Sequence, residues 1–83
     1  MSATITTEQV QEKVFAALIA FGADPEVVTY DAGWGVLDVD SLDLVELAQV
    51  VEDEFGVEIT SQDMQNLLTV GSVIELVVAR AAA

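Results

Sequence analysis

Apolar positions recur at the three- and four-residue intervals of amphipathic helices in four separate stretches of the chain. Val10, Val14, Leu18 and Phe21 form the first stripe, widened by Phe15 and Ile19, and predict a helix over Thr7–Phe21. Thr6 and Gln9 have capping-box spacing at its start, and Gly22 is a natural stop. Leu44, Leu47, Ala48, Val51 and Phe55 place a second helix over Ser41–Phe55, stopped by Gly56, with Asp40 or Ser41 as its cap. Thr60 or Ser61 can open a short third helix through about Leu68, and Thr60 and Asp63 form a capping-box variant. Thr69 or Ser72 can open the last, whose stripe is Val70, Val73, Ile74, Val77 and Val78, ending in Arg80 and an alanine tail. The β-branched run Val73–Val78 also reads as a strand, but its period is helical and a lone strand would have no partner. Gly56–Ile59 reads as a short extended connector. The predicted fold is all-α, a small four-helix bundle with a long first loop and a short third helix, and residues 1–83 form a single domain.

The long loop, Gly22 to Asp40, carries the breakers Pro25, Gly33 and Gly35 together with apolar Tyr30, Trp34, Val36 and Leu37. Those apolar residues predict that it packs over the helices. Trp34 is expected to plug the core, the alternative being a ligand or partner contact.

Composition narrows the chemistry. The 83 residues include no cysteine and no histidine. Disulfides, thiolate metal sites and a cysteine nucleophile are excluded, and the usual general base near neutral pH is missing. Fifteen acidic residues face two basic ones, Lys13 and Arg80, for a net charge of −13. Nucleic acid and anionic membrane surfaces should be repelled, basic partners attracted, and the fold strained by self-repulsion that salt or divalent cations relieve. No apolar run approaches the ~18 residues of a membrane span. The first residues lack the basic and apolar regions of a leader, so a cytoplasmic protein is expected.

One hydroxyl then stands out. In "DVDSLDLVEL", Ser41 sits among carboxylates at the start of the second helix. As a hydrolytic nucleophile it lacks a base and a G-x-S-x-G elbow. A calcium loop beginning at Asp38 and Asp40 fails at Leu42, Asp43 and Gln49, so no metal site is expected. Two readings remain. Ser41 and Asp40 can simply cap the helix, with Asp43 complementing its dipole. A first-turn serine after a long loop is also exposed, and the helix N-terminus would accommodate a phosphate ester. Downstream, the outer face carries Asp43, Glu46, Glu52 and Asp53 with Leu42, Val45 and Gln49 among them. That mixture suits docking on a basic, partly apolar surface, and it also suits an ordinary solvated face.

"DSLDLVELAQVVEDEFGVEI", Asp40 to Ile59, resembles the helix signature of acyl carrier proteins. The likeness extends to four helical segments, the long first loop and the Thr69-Val70 start of the last helix. It implies that Ser41 is where a phosphopantetheinyl transferase attaches 4′-phosphopantetheine from coenzyme A, with Asp40 and Leu42 beside the cofactor and Asp40 assisting recognition. The arm's thiol would carry acyl intermediates, so the reactive group belongs to the cofactor. The resemblance further implies that Leu42, Asp43, Val45, Glu46, Glu52 and Asp53, with Gln49 on the same side, meet basic patches on a ketosynthase, an acyltransferase and other synthase enzymes. The inner faces would shelter part of the chain. The carrier would be a non-catalytic monomer of polyketide or fatty acid biosynthesis. Two features depart from the pattern: Asp38 stands where such proteins commonly have glycine, and the Gly33-Trp34-Gly35 loop has no counterpart. The alternative from another class is an unmodified acidic interaction module that docks through the second helix.

Overall fold

The computed structural model describes residues 5–82. The stretch read for a leader, 1–4, and the last alanine, 83, lie outside them. Among the described residues five helices follow in order: α1 (Thr7–Ala20), α2 (Trp34–Leu37), α3 (Ser41–Phe55), α4 (Ser61–Asn66) and α5 (Val70–Ala82). Four are those the periodicity predicts. The fifth, α2, is a single turn inside the long loop, opened by Gly33 without a side-chain cap.

The four predicted helices start with the same device. At α1, Gln9 N–H donates to Thr6 Oγ1 (3.2 Å) and Thr6 N–H to Gln9 Oε1 (3.1 Å). Asp40 with Asp43, and Thr60 with Asp63, make the reciprocal pair at α3 and α4. At α5 it is Thr69 with Ser72. Each pair satisfies amides that a helix start otherwise leaves without an acceptor. Gly56, at φ 69°, closes α3 in the left-handed region that glycine enters without a Cβ clash.

The core lies where α1, α3 and α5 meet. Val10, Val14 and Leu18 from α1, Leu47 and Val51 from α3, and Val70, Val73, Ile74 and Val77 from α5 are all fully buried. The buried side of α3 is narrower than its sequence stripe: Leu44, Ala48 and Phe55 are only partly buried against this core. Between α3 and α4 the chain is extended, and Val57 and Ile59 face inward while Glu58 points out, the alternation of an extended segment.

The long loop packs down as predicted except at Val36, which is 65% exposed on the single turn of α2. Val28, Ala32 and Leu37 are buried. Its end crosses the start of α5, where Tyr30 and Ala32 carbonyls accept from the Gly71 and Val70 amides at 2.7 and 3.0 Å. Glycine at 71 permits that approach, because a Cβ there would lie inside contact distance of the Tyr30 ring and carbonyl. The Tyr30 hydroxyl donates to Glu75 Oε2 at 2.7 Å, and this bond to a carboxylate raises the phenol's pKa.

Candidate functional site

Ser41 occupies the first position of α3 and is exposed. The cap belongs to Asp40, whose Oδ1 accepts from Asp43 N–H at 3.0 Å, while Asp43 Oδ2 accepts from Asp40 N–H at 3.4 Å. Of the two caps the sequence offered, Asp40 is the one used, and it leaves the serine hydroxyl out of that work. The amides of Ser41 and Leu42 have no intrahelical acceptor at a helix start. With the positive end of the helix dipole behind them, they make a position suited to a phosphate ester on Ser41 Oγ. The Asp43 carboxylate is half-buried and turned back into the cap.

Ser41 also borders a cavity of about 400 Å³ between α3 and α4, a volume in the range of small-molecule sites. From α3 it is lined by Ser41, Leu44, Val45, Ala48, Gln49 and Glu52. The facing wall is Ile59 and Thr60 of the connector with Ser61, Met64 and Gln65 of α4. Leucine, alanine, isoleucine and methionine give it an apolar floor, and hydroxyl, amide and carboxylate groups stand among them.

The outer face predicted for α3 therefore resolves into two stripes. Val45, Gln49 and Glu52 lie beside Ser41 along the cavity. Leu42, Glu46 and Asp53 are exposed and stay clear of it. Leu42 is 76% exposed and Val45 54%, so two large apolar side chains stand in water among carboxylates. Both basic side chains are engaged elsewhere: Lys13 Nζ is 3.4 Å from Glu54 Oε1, and Arg80 Nη1 is 2.8 Å from Asp63 Oδ2. Among the described residues neither base pairs with Glu46, Glu52 or Asp53, so their negative field is not locally neutralised. Among the described residues no three histidine, cysteine or carboxylate side chains group as metal ligands, and no helix is long and apolar enough to cross a membrane.

Sequence reasoning missed the α4 side of the cavity. The Thr60–Asp63 spacing gave away the start of α4, but nothing local says that Met64 and Gln65 face Ser41. It also missed the polar ties on α4. The Arg80 guanidinium forks onto Asp63, Nη1 to Oδ2 at 2.8 Å and Nη2 to Oδ1 at 3.1 Å, and Nη1 also donates to the Glu58 carbonyl at 2.8 Å. The Arg80 fork first, and then the Thr60 backbone N–H, hold the Asp63 carboxyl well below the usual carboxylate range. Trp34, half-buried at the edge of the core, donates its indole N–H to the Leu67 carbonyl at 2.7 Å.

Residues 14–77 match the family described as "Phosphopantetheine attachment site". The acyl carrier protein of Lactobacillus johnsonii (strain CNCM I-12250 / La1 / NCC 533) is 38% identical over 76 residues, spanning 88% of this chain and 94% of the relative.

Proposed function

The chain belongs to the acyl carrier proteins, the family with a phosphopantetheine attachment site, and from that premise we propose that Ser41 is the residue that bears the arm. Its 4′-phosphopantetheine is covalent, and the chain is a carrier that works with a phosphopantetheinyl transferase and synthase enzymes and is not itself a catalyst. The observation that carries the assignment is the exposed Ser41 at the first position of α3, relieved of capping by Asp40 and bordering the cavity. A phosphodiester formed there meets the Ser41 and Leu42 amides and the positive helix end. The arm supplies a thiol that holds acyl groups as thioesters. The chain's own part is to anchor the ester, shelter the start of the acyl group between α3 and α4, and present both to partners.

Leu42, Asp43, Val45, Glu46, Gln49, Glu52 and Asp53 form the docking side in this reading. Carboxylates there steer basic patches on a ketosynthase, an acyltransferase and the transferase, and Leu42 and Val45 supply apolar contact. The carrier, one domain over residues 1–83, acts as a cytoplasmic monomer in polyketide or fatty acid biosynthesis, without nucleic acid, membrane or metal.

The test is the intact mass after incubation with coenzyme A and a broad-specificity phosphopantetheinyl transferase. We expect the gain of one phosphopantetheinyl group, lost in Ser41→Ala. No gain with a competent transferase would return Ser41 to a position at a helix start and leave an acidic docking module. Glu46→Lys is expected to slow loading by the transferase while helicity holds, since Glu46 is exposed and clear of the cavity. Unchanged kinetics would remove Glu46 from the docking side.

A further inference from the structure

The two walls of the cavity are held by different means. On one side, Leu47 and Val51 fix α3 in the core. On the other, α4 has six residues and buries only Met64, and a helix so short has no stability of its own. Its two ends are tied by polar groups from elsewhere. At the start, Arg80 of α5 grips Asp63, the residue that completes the α4 cap, and the Glu58 carbonyl just before it. At the end, Trp34 of α2 bonds the carbonyl of Leu67, the C-terminal cap of α4. Trp34 lies in the turn of helix that runs into the Ser41 segment, so the far end of the α4 wall is tied to the approach to the attachment point.

We propose that Arg80 and Trp34 are positioning residues that hold α4 against α3 and so set how well the cavity shelters an acyl chain on the arm. This rests on the reading that Ser41 bears the arm and that the acyl group enters between α3 and α4. Directional ties suit such a wall. An ion pair and a single indole bond are broken at far lower cost than the core is repacked, so the placement of α4 depends on these two residues as that of α3 does not.

The experiment loads acetyl- and octanoyl-phosphopantetheine onto the protein from the corresponding acyl coenzyme A and follows thioester cleavage by hydroxylamine. The acetyl group is too short to be sheltered and sets the reference. In the unaltered protein the octanoyl ester is expected to be cleaved more slowly than the acetyl. Arg80→Ala should reduce that octanoyl-to-acetyl protection by up to about fivefold, the upper end of what an exposed ion pair contributes, and leave acetyl cleavage unchanged. Arg80→Lys keeps the charge without the fork and should recover only part of the protection. Trp34→Phe keeps an aromatic ring but not the N–H, and should weaken protection without touching the ion pair; it tests the idea should Arg80→Ala fail to fold. Far-UV circular dichroism identifies the folded variants. Full protection in folded Arg80→Ala and Trp34→Phe overturns the positioning roles alone. Equal cleavage of the two esters in the unaltered protein overturns the sheltering reading, and the roles with it. Failure to load overturns the attachment at Ser41.

Discussion

The two halves of this small molecule, the α1–α3–α5 bundle and the short α4 wall, are stabilised by different physics. The bundle is closed by nine fully buried aliphatic side chains, none with a polar atom to satisfy. The wall has one buried methionine and leans on an ion pair, an indole bond and its own cap. Burial is non-directional and is not screened by ions, whereas exposed ion pairs are directional, weak and screened. A carrier has to keep one shape while its cargo changes in size. On the proposed reading the division of labour answers that need, with the bundle as the fixed side of the cavity and α4 as the adjustable one.

The comparison breaks most sharply in the bundle. Leu47 is fully buried on the core side of α3. Leu47→Ala should cost about 2–5 kcal/mol, from lost burial plus the void left behind. Chemical denaturation measures it. A loss below about 0.5 kcal/mol, the scale of surface changes, would mean that α3 is not fixed by this contact.

The same division decides what was legible in the sequence. Helices announced by periodic apolar residues and side-chain caps were readable almost to the residue: α3 spans Ser41–Phe55 as predicted, and α1 ends one residue early. The hydroxyl at Ser41 was readable because its acidic, first-turn setting is local. What could not be read was non-local. Arg80 reaches Asp63 across 17 residues, and Trp34 reaches Leu67 across 33; a lone arginine near a helix end and an aromatic in a loop carry no address in the chain. α2 went unseen for a related reason. Its four residues include Gly35 and have no side-chain cap, so no periodic or capping signal marks them. Even on α3 the wheel was right but its division was not, because Leu44 and Ala48 turn out to face a cavity whose other wall comes from a separate helix.

A smaller effect is expected at the turn between α2 and α3, outside both halves. Asp38 closes α2 at φ 55° and ψ 41°, in the left-handed region, and is exposed. A side chain there costs about 1–2 kcal/mol, less for aspartate than for most residues, and glycine avoids that cost while giving up chain entropy on folding. Asp38→Gly should therefore raise stability by a few tenths to about 1 kcal/mol. Part of any gain could come from removing one of many like charges, so Asp38→Asn is the control: it drops the charge and keeps the Cβ. Equal gains in the two variants would assign the whole effect to repulsion.

The smallest expected effect lies in the wall and depends on pH. Asp63 is held below the usual carboxylate range, first by Arg80 and then by Thr60. Because its folded value is the lower one, its contribution to stability is complete above the unfolded carboxylate value of about 4 and is lost as the pH falls beneath it. The rest of the molecule pulls the other way. With a net charge of −13, protonating other carboxylates relieves repulsion on acidification, so the wild-type curve alone mixes the two. The difference between wild type and Asp63→Asn separates them, since the common repulsion nearly cancels. That difference should favour wild type at about pH 6 and shrink toward about pH 3. A gap that stays constant over this range would mean that the Arg80 fork does not hold α4 through the charge of Asp63, and that the wall, like the bundle, rests on packing.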